Sequence, residues 1–116
     1  MIVGVQGTSS FTDYKIFLRA MAVALSELED KDKEFILYSD GPSNIIMMAM
    51  EFTNLSERGM KLRGKKIKLI KVTSEWLKEN SDLIDHFIFL SKPKEPVSWF
   101  MNNAKNKNLN VNVYNF

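Results

Sequence analysis

Three short polar stretches carry the side chains of this chain best suited to ligand chemistry: GTSSFTD at 7–13, SDGPSN at 39–44 and SKPKEP at 91–96. Gly7 and Gly41 permit tight turns and close backbone approach, while Thr8, Ser9, Ser10 and Ser43 supply hydroxyls that both donate and accept hydrogen bonds. Asp13, Asp40, Asn44, Ser91 and Pro96 complete the set of candidate ligand-binding residues. If each stretch opens a helix, its free N–H groups and the positive end of the helix dipole favour an anion, so phosphate or ribose can be held without a basic side chain. Ser, Thr, Asp and Gly are equally the residues that strand-to-helix turns use for capping alone, and both readings stand at this level. Neither the G-x-G-x-x-G dinucleotide fingerprint nor the G-x-x-x-x-G-K-S/T phosphate loop occurs.

Other chemistry has less to stand on. His86 is the only histidine, which rules out a cluster of histidine metal ligands; at the entrance of the apolar run HFIFL it reads as a structural or solvent-facing residue. Asp82 and Asp85 are close enough in sequence to share acid–base work, and are more simply a helix end and a strand cap. Met47, Met48 and Met50 read as flexible core filler on an apolar helix. Trp99 and Phe100 read the same way, although Trp99 could border a base-stacking pocket. No catalytic residue, metal ligand or cofactor is expected from this inventory.

A rival to the pocket is the segment RGMKLRGKKIKLIK at 58–71, with Arg58, Lys61, Arg63, Lys65, Lys66, Lys68 and Lys71 and no acidic residue. Nearly half of the chain's 16 basic side chains lie here. They suit the phosphates of a nucleic acid or an acidic protein surface. Without interleaved aromatics for base stacking, they suit equally well a solvated loop and a lysine-protected sheet edge.

The elements that must position these residues are legible from periodicity. Ile2 to Gln6 is a short strand-like run, and from Asp13 to about Glu29 apolar residues recur at Ile16, Phe17, Ala20, Met21, Ala24 and Leu28 with helical spacing, capped by Thr12 or Asp13. EFILYS at 34–39 is a second strand, and a second helix should begin near Ser43. Lys66 to Val72 alternates into a strand with one basic face, expected near an edge, and Ser74 caps the short helix EWLKEN. DHFIFL at 85–90 is apolar enough for burial on both faces. Pro96 is placed to open a helix, PVSWFMNNAKNK, before a last strand at Val111 to Phe116. Strands alternating with helices predict an α/β fold: a single domain over 1–116, Rossmann-like, with about five mostly parallel strands and helices on both faces. In such a sheet the three polar stretches lie beyond the strands' carboxyl ends, where ligands bind.

The composition agrees with this class. The chain has 116 residues, 45% of them hydrophobic, enough for one compact core. The absence of cysteine excludes disulfides, thiolate metal sites and thiol catalysis. A net charge of +2 does not by itself indicate a polyanion partner. No run approaches the roughly 18 apolar residues of a membrane span, and no basic leader with an apolar core opens the chain, so the expectation is a cytoplasmic protein with no membrane partner. The Lys- and Asn-rich, Gly-poor usage suits an AT-rich genome, including a viral one, and a homo-oligomer is compatible with everything above.

GTSSFTDY after the first strand resembles the G-S-R-x-F-x-D-Y opening of the YspA-like branch of the SLOG superfamily, the Rossmann-like group named for the Smf/DprA and LOG proteins. FILYSDGPSNIIMMAMEF is similar to that family's second block, a strand entering a glycine-rich turn and an Ala-rich helix. SDLIDHFIFLSKPKEPVSWFMNNAKNKNLNVNVY is similar to its final block. The departures are specific: Ser9 stands where the pattern has Arg, Asn44 where it has Asp, and no Gly-Thr pair occurs near Glu95 to Val97. The resemblance implies a degenerate SLOG domain that binds a nucleotide or nucleotide-derived molecule, such as an ADP-ribose-like signal, without catalysis. A module that interacts with protein or nucleic acid through the basic segment is the alternative. A nucleoside 5′-monophosphate phosphoribohydrolase-like enzyme comes third, because the Arg and Glu that its chemistry needs beside the glycine-rich motifs are not recognisable.

Overall fold

The computed structural model describes residues 1–91 and 110–115. In chain order the elements are β1 (Ile2–Gly7), α1 (Tyr14–Ser26), β2 (Glu34–Ser39), α2 (Ser43–Leu62), β3 (Lys66–Lys71), α3 (Ser74–Glu79), a 3-10 turn (Ser81–Leu83), β4 (His86–Ser91) and β5 (Asn110–Asn115). The strands lie in the order β3-β2-β1-β4-β5 and each neighbouring pair is parallel. The chain is thus an α/β protein built on a parallel sheet. It winds outward from β1 to β3, then returns across the sheet to β4, and this reversal lies between β1 and β4.

Helix placement follows from that path. Parallel crossovers are right-handed, so two outward steps put α1 and α2 on one face and the return step puts α3 on the other. The core divides accordingly. Val3, Val5, Phe35, Leu37, Ile88 and Leu90 pack against Phe17, Ala20, Met21 and Ala24 of α1 and Ile45, Ala49, Phe52 and Met60 of α2. On the opposite face Leu77 of α3 packs with Ile84, Phe87 and Phe89, flanked by Tyr38 and Trp76. Each fully buried Phe or Leu contributes about 1.5–3 kcal/mol relative to exposure, so the larger α1–α2 face supplies most of the apolar driving force.

Local chemistry sets the element ends. The Asp13 carboxylate accepts from the N–H groups of Lys15 and Ile16 at 3.0 and 3.3 Å and caps α1. That helix stops at Ser26, short of the expected Glu29, because the following residues close their own turn: the Glu29 N–H donates to Asp32 Oδ2 at 2.9 Å and the Asp32 N–H to the Glu29 carbonyl at 3.0 Å. Thr73, not Ser74, caps α3 through the Trp76 N–H at 3.0 Å, which leaves the Ser74 hydroxyl for another partner. β3 occupies the sheet edge with Lys66 and Lys68 exposed, and β4 is buried from His86 to Leu90, both as its residue pattern indicates.

The methionines need a correction. Met48 packs against the core, but Met47 is 69% exposed and Met50 51% exposed. At about 3.6 residues per turn, a helix that points Ile45, Ala49, Phe52 and Met60 at the sheet carries residues 47 and 50 on its outer side. The expected helix over 96–107, with Pro96, Trp99 and Phe100, lies outside the described residues.

Candidate functional site

The carboxyl ends of β1 and β2 bring the first two polar stretches together, but most of their polar groups serve the fold. The Phe11 N–H donates to the Thr8 carbonyl at 3.1 Å, closing a turn whose tip is Ser9 and Ser10, both exposed. The Thr8 and Ser10 hydroxyls lie 3.1 Å apart and hydrogen-bond to one another. Phe11 is fully buried and anchors the turn. Asn44, in the first turn of α2, reaches across and donates its amide to the carbonyls of Thr8 at 3.1 Å and Phe11 at 2.5 Å. Gly7 is needed for close packing: a Cβ there would stand 2.5 Å from Ile45 Cδ1 and 3.2 Å from the Leu90 carbonyl oxygen. The space that a side chain would take at Gly7 is therefore occupied by α2.

The second stretch is different. Ser39 is fully buried, donates to the Val5 carbonyl at 2.8 Å and accepts from the Gly41 N–H at 3.3 Å. Gly41 has φ +106°, a conformation that only glycine adopts without strain, and it turns the chain into α2. Pro42 occupies the N-cap and makes no side-chain bond, so the first turn of α2, with Ser43 exposed, lacks a side-chain cap. Asp40 faces the α3 side, where one carboxylate oxygen accepts both from Gln6 Nε2 at 3.0 Å and from the Ser74 hydroxyl at 2.7 Å. Three elements meet there: the end of β1, the end of β2 and the start of α3. Beside them Trp76 lies against Tyr38 with ring centroids 4.5 Å apart.

Gln6 is the residue that the sequence reading missed. Because its Nε2 donates to the Asp40 carboxylate, its Oε1 is fixed as an acceptor, and that oxygen is buried with no hydrogen-bond partner among the described residues. An orphaned buried acceptor costs about 1–3 kcal/mol, which apolar side chains at the same position would avoid. The signal was present: Gln6 is the one polar side chain in the run IVGVQ, at its carboxyl end. The groups that meet there, the Asp40 carboxylate and the enclosed Gln6 Oε1, are acceptors, so their chemical complement is a donor such as a hydroxyl or an amine.

The remaining candidates lie elsewhere. His86 is buried, with Nδ1 unpartnered among the described residues, but it pairs in register with Val3 and Asn110 at the amino ends of the strands. Asp85 accepts from the Ile2 N–H at 2.8 Å at that same end, as a strand cap would, and Asp82 lies in the 3-10 turn. Ser91 ends β4, and Pro96 falls outside the described residues. Burial, and then the negative charge of Glu51, raise the Tyr14 phenol above its ordinary pKa.

The basic segment is only in part a free surface. Lys65 is buried and its Nζ donates to the carbonyls of Glu29, at 3.0 Å, and Asp32, so it ties the α1–β2 turn to the end of α2 and is withdrawn from any polyanion. Lys68 pairs with Glu34 at 3.6 Å, while Arg58, Lys61, Arg63 and Lys66 remain exposed. Among the described residues no group of three or more His, Cys, Asp or Glu side chains could hold a metal ion, and no helix is long and apolar enough to cross a membrane. Compared with protein-family models, curated proteins and solved structures, the chain matches none, so this geometry stands on its own residues.

Proposed function

We propose that the chain binds, without transforming it, a nucleotide or nucleotide-derived molecule at the carboxyl edge of its sheet, with ribose hydroxyls donating to Gln6 and Asp40. The observation that carries the reading is the buried, unpartnered Gln6 Oε1 beside the Asp40 carboxylate. Its location supports it: the corner adjoins the β1–β4 reversal, where open α/β sheets take their ligands, and a carboxylate close to the end of a neighbouring strand is the device with which dinucleotide folds hold a ribose. Phosphate would lie towards the uncapped first turn of α2, held by backbone N–H groups and the Ser43 hydroxyl, in place of the arginine that Ser9 replaces. A Rossmann-like domain of SLOG type belongs to the same proposal, on the strand order and the three matching segments.

Native mass spectrometry of the purified protein, followed by thermal-shift screening against nucleotides and ADP-ribose derivatives, tests it. A ligand at 100 times its Kd stabilises the folded state by about 2.7 kcal/mol, which raises Tm by several degrees. Gln6→Leu should abolish that rise while changing the unliganded Tm little, since it removes the orphaned acceptor and one donor to Asp40 together. No adduct and no shift across the panel would sink the proposal.

A further inference from the structure

The outer side of α2 is apolar where solvent would favour polar residues: Met47 is 69% exposed, Met50 51%, Leu55 68% and Leu62 84%. Met47, Met50, Glu51, Asn54 and Leu55 line a shallow groove along this helix. A lone exposed Leu is ordinary, but four large apolar side chains on one side of one helix form a patch of the kind that marks an interface. Glu51 and Arg58 sit within the same stripe, exposed, and neither is engaged in an ion pair among the described residues.

We propose that the occupant of this face is a second copy of the chain, docked with the two α2 helices antiparallel about a two-fold axis between Asn54 and Leu55. The charges select that arrangement. Antiparallel pairing about this point sets Met47 against the partner's Leu62, Glu51 against the partner's Arg58 and Asn54 against the partner's Leu55. The two-fold repeats each contact, as an isologous interface requires. A parallel pair would instead set Glu51 against the partner's Glu51 and Arg58 against the partner's Arg58. Helix dipoles also favour the antiparallel pair. The contact lies on the outer side of α2, away from the Gln6–Asp40 corner on the α3 side of the sheet, so the dimer leaves that corner open.

Sedimentation velocity of the full chain across about a hundredfold range of concentration reads the association. The expected result is a mass rising from one chain towards two, with the dimer weakened by added salt as the Glu51–Arg58 contacts are screened. Leu55→Glu, at an exposed position, should weaken association at least tenfold while the thermal melt of the dilute monomer stays unchanged. Glu51→Arg and Arg58→Glu should each fail to self-associate, and an equimolar mixture of the two should recover a dimer, because only the mixed pair restores both contacts. A single-chain mass at all concentrations overturns the proposal, as does a dimer indifferent to Leu55→Glu. Failure of the mixture to recover association overturns the antiparallel register.

Discussion

Two polar corners at the same sheet edge are built from the same residue types and treat them in opposite ways. In the turn from Gly7 to Asp13, Asp13 caps α1, Asn44 is spent on two carbonyls, and Ile45 fills the space above Gly7. In the Gln6–Asp40–Ser74 corner, a buried acceptor has no donor among the described residues. In the first corner most of the polarity is accounted for by folding. The second retains an acceptor whose burial is uncompensated among the described residues, and the proposed function rests on that difference.

The contrast breaks first at Gly7. Gly7→Val forces a side chain into Ile45 and the Leu90 carbonyl, and is expected to cost about 3 kcal/mol, near the top of the usual overpacking range, lowering Tm by roughly 10 °C or more in thermal denaturation. In a Gly7→Ala background, Ile45→Val removes the nearest atom and should recover part of the loss. A silent Gly7→Ala would mean that the turn has slack enough to admit a ligand after all. Asn44→Ala removes one donor from each of the Thr8 and Phe11 carbonyls and should cost about 1–3 kcal/mol by denaturant titration. Asp13→Ala should cost about 1 kcal/mol through the lost cap, with faster amide exchange confined to the first turn of α1.

At the other corner the effect on stability should be small. Gln6→Leu removes an unsatisfied acceptor together with one donor to the Asp40 carboxylate, two opposing effects of similar size, so stability should change little even as ligand-induced stabilisation disappears. A marked loss of stability would show that Gln6 is structural like its neighbours. The smallest effect concerns Asp32, whose carboxyl is held below its ordinary pKa first by the Glu29 N–H and then by nearby cationic groups, against the opposing pull of desolvation. A depressed folded-state pKa adds stability above the unfolded value and loses it as pH falls through the folded one. Asp32→Asn should therefore lower stability slightly at neutral pH, leave it little changed at strongly acidic pH, and flatten the fall in stability from the ordinary carboxylate range downwards.

Much of the architecture was written in local pattern. Helical recurrence from Ile16 to Ala24, the apolar runs at 34–39 and 85–90, and the basic alternation at 66–71 each depend on residues a few positions apart, so the sequence alone places them on helices, strands and an edge. The polar stretches at 7–13 and 39–44 were likewise legible as strand-to-helix turns. Which of their groups were free was not, because a hydroxyl or carboxylate looks the same whether its partner is a ligand or a backbone group 36 residues away, as with Asn44 and Thr8. The reading of Met47 and Met50 failed for a related reason: periodicity finds an apolar helix but does not say which side meets the sheet. What the sequence by itself determined was the order and kind of the elements, since these follow from neighbours along the chain. Only the tertiary structure decided that Lys65 is a buried strut, that Ile45 occupies the space over Gly7 and that Gln6 Oε1 is buried with no donor among the described residues. Those outcomes depend on residues that meet only once the sheet has formed.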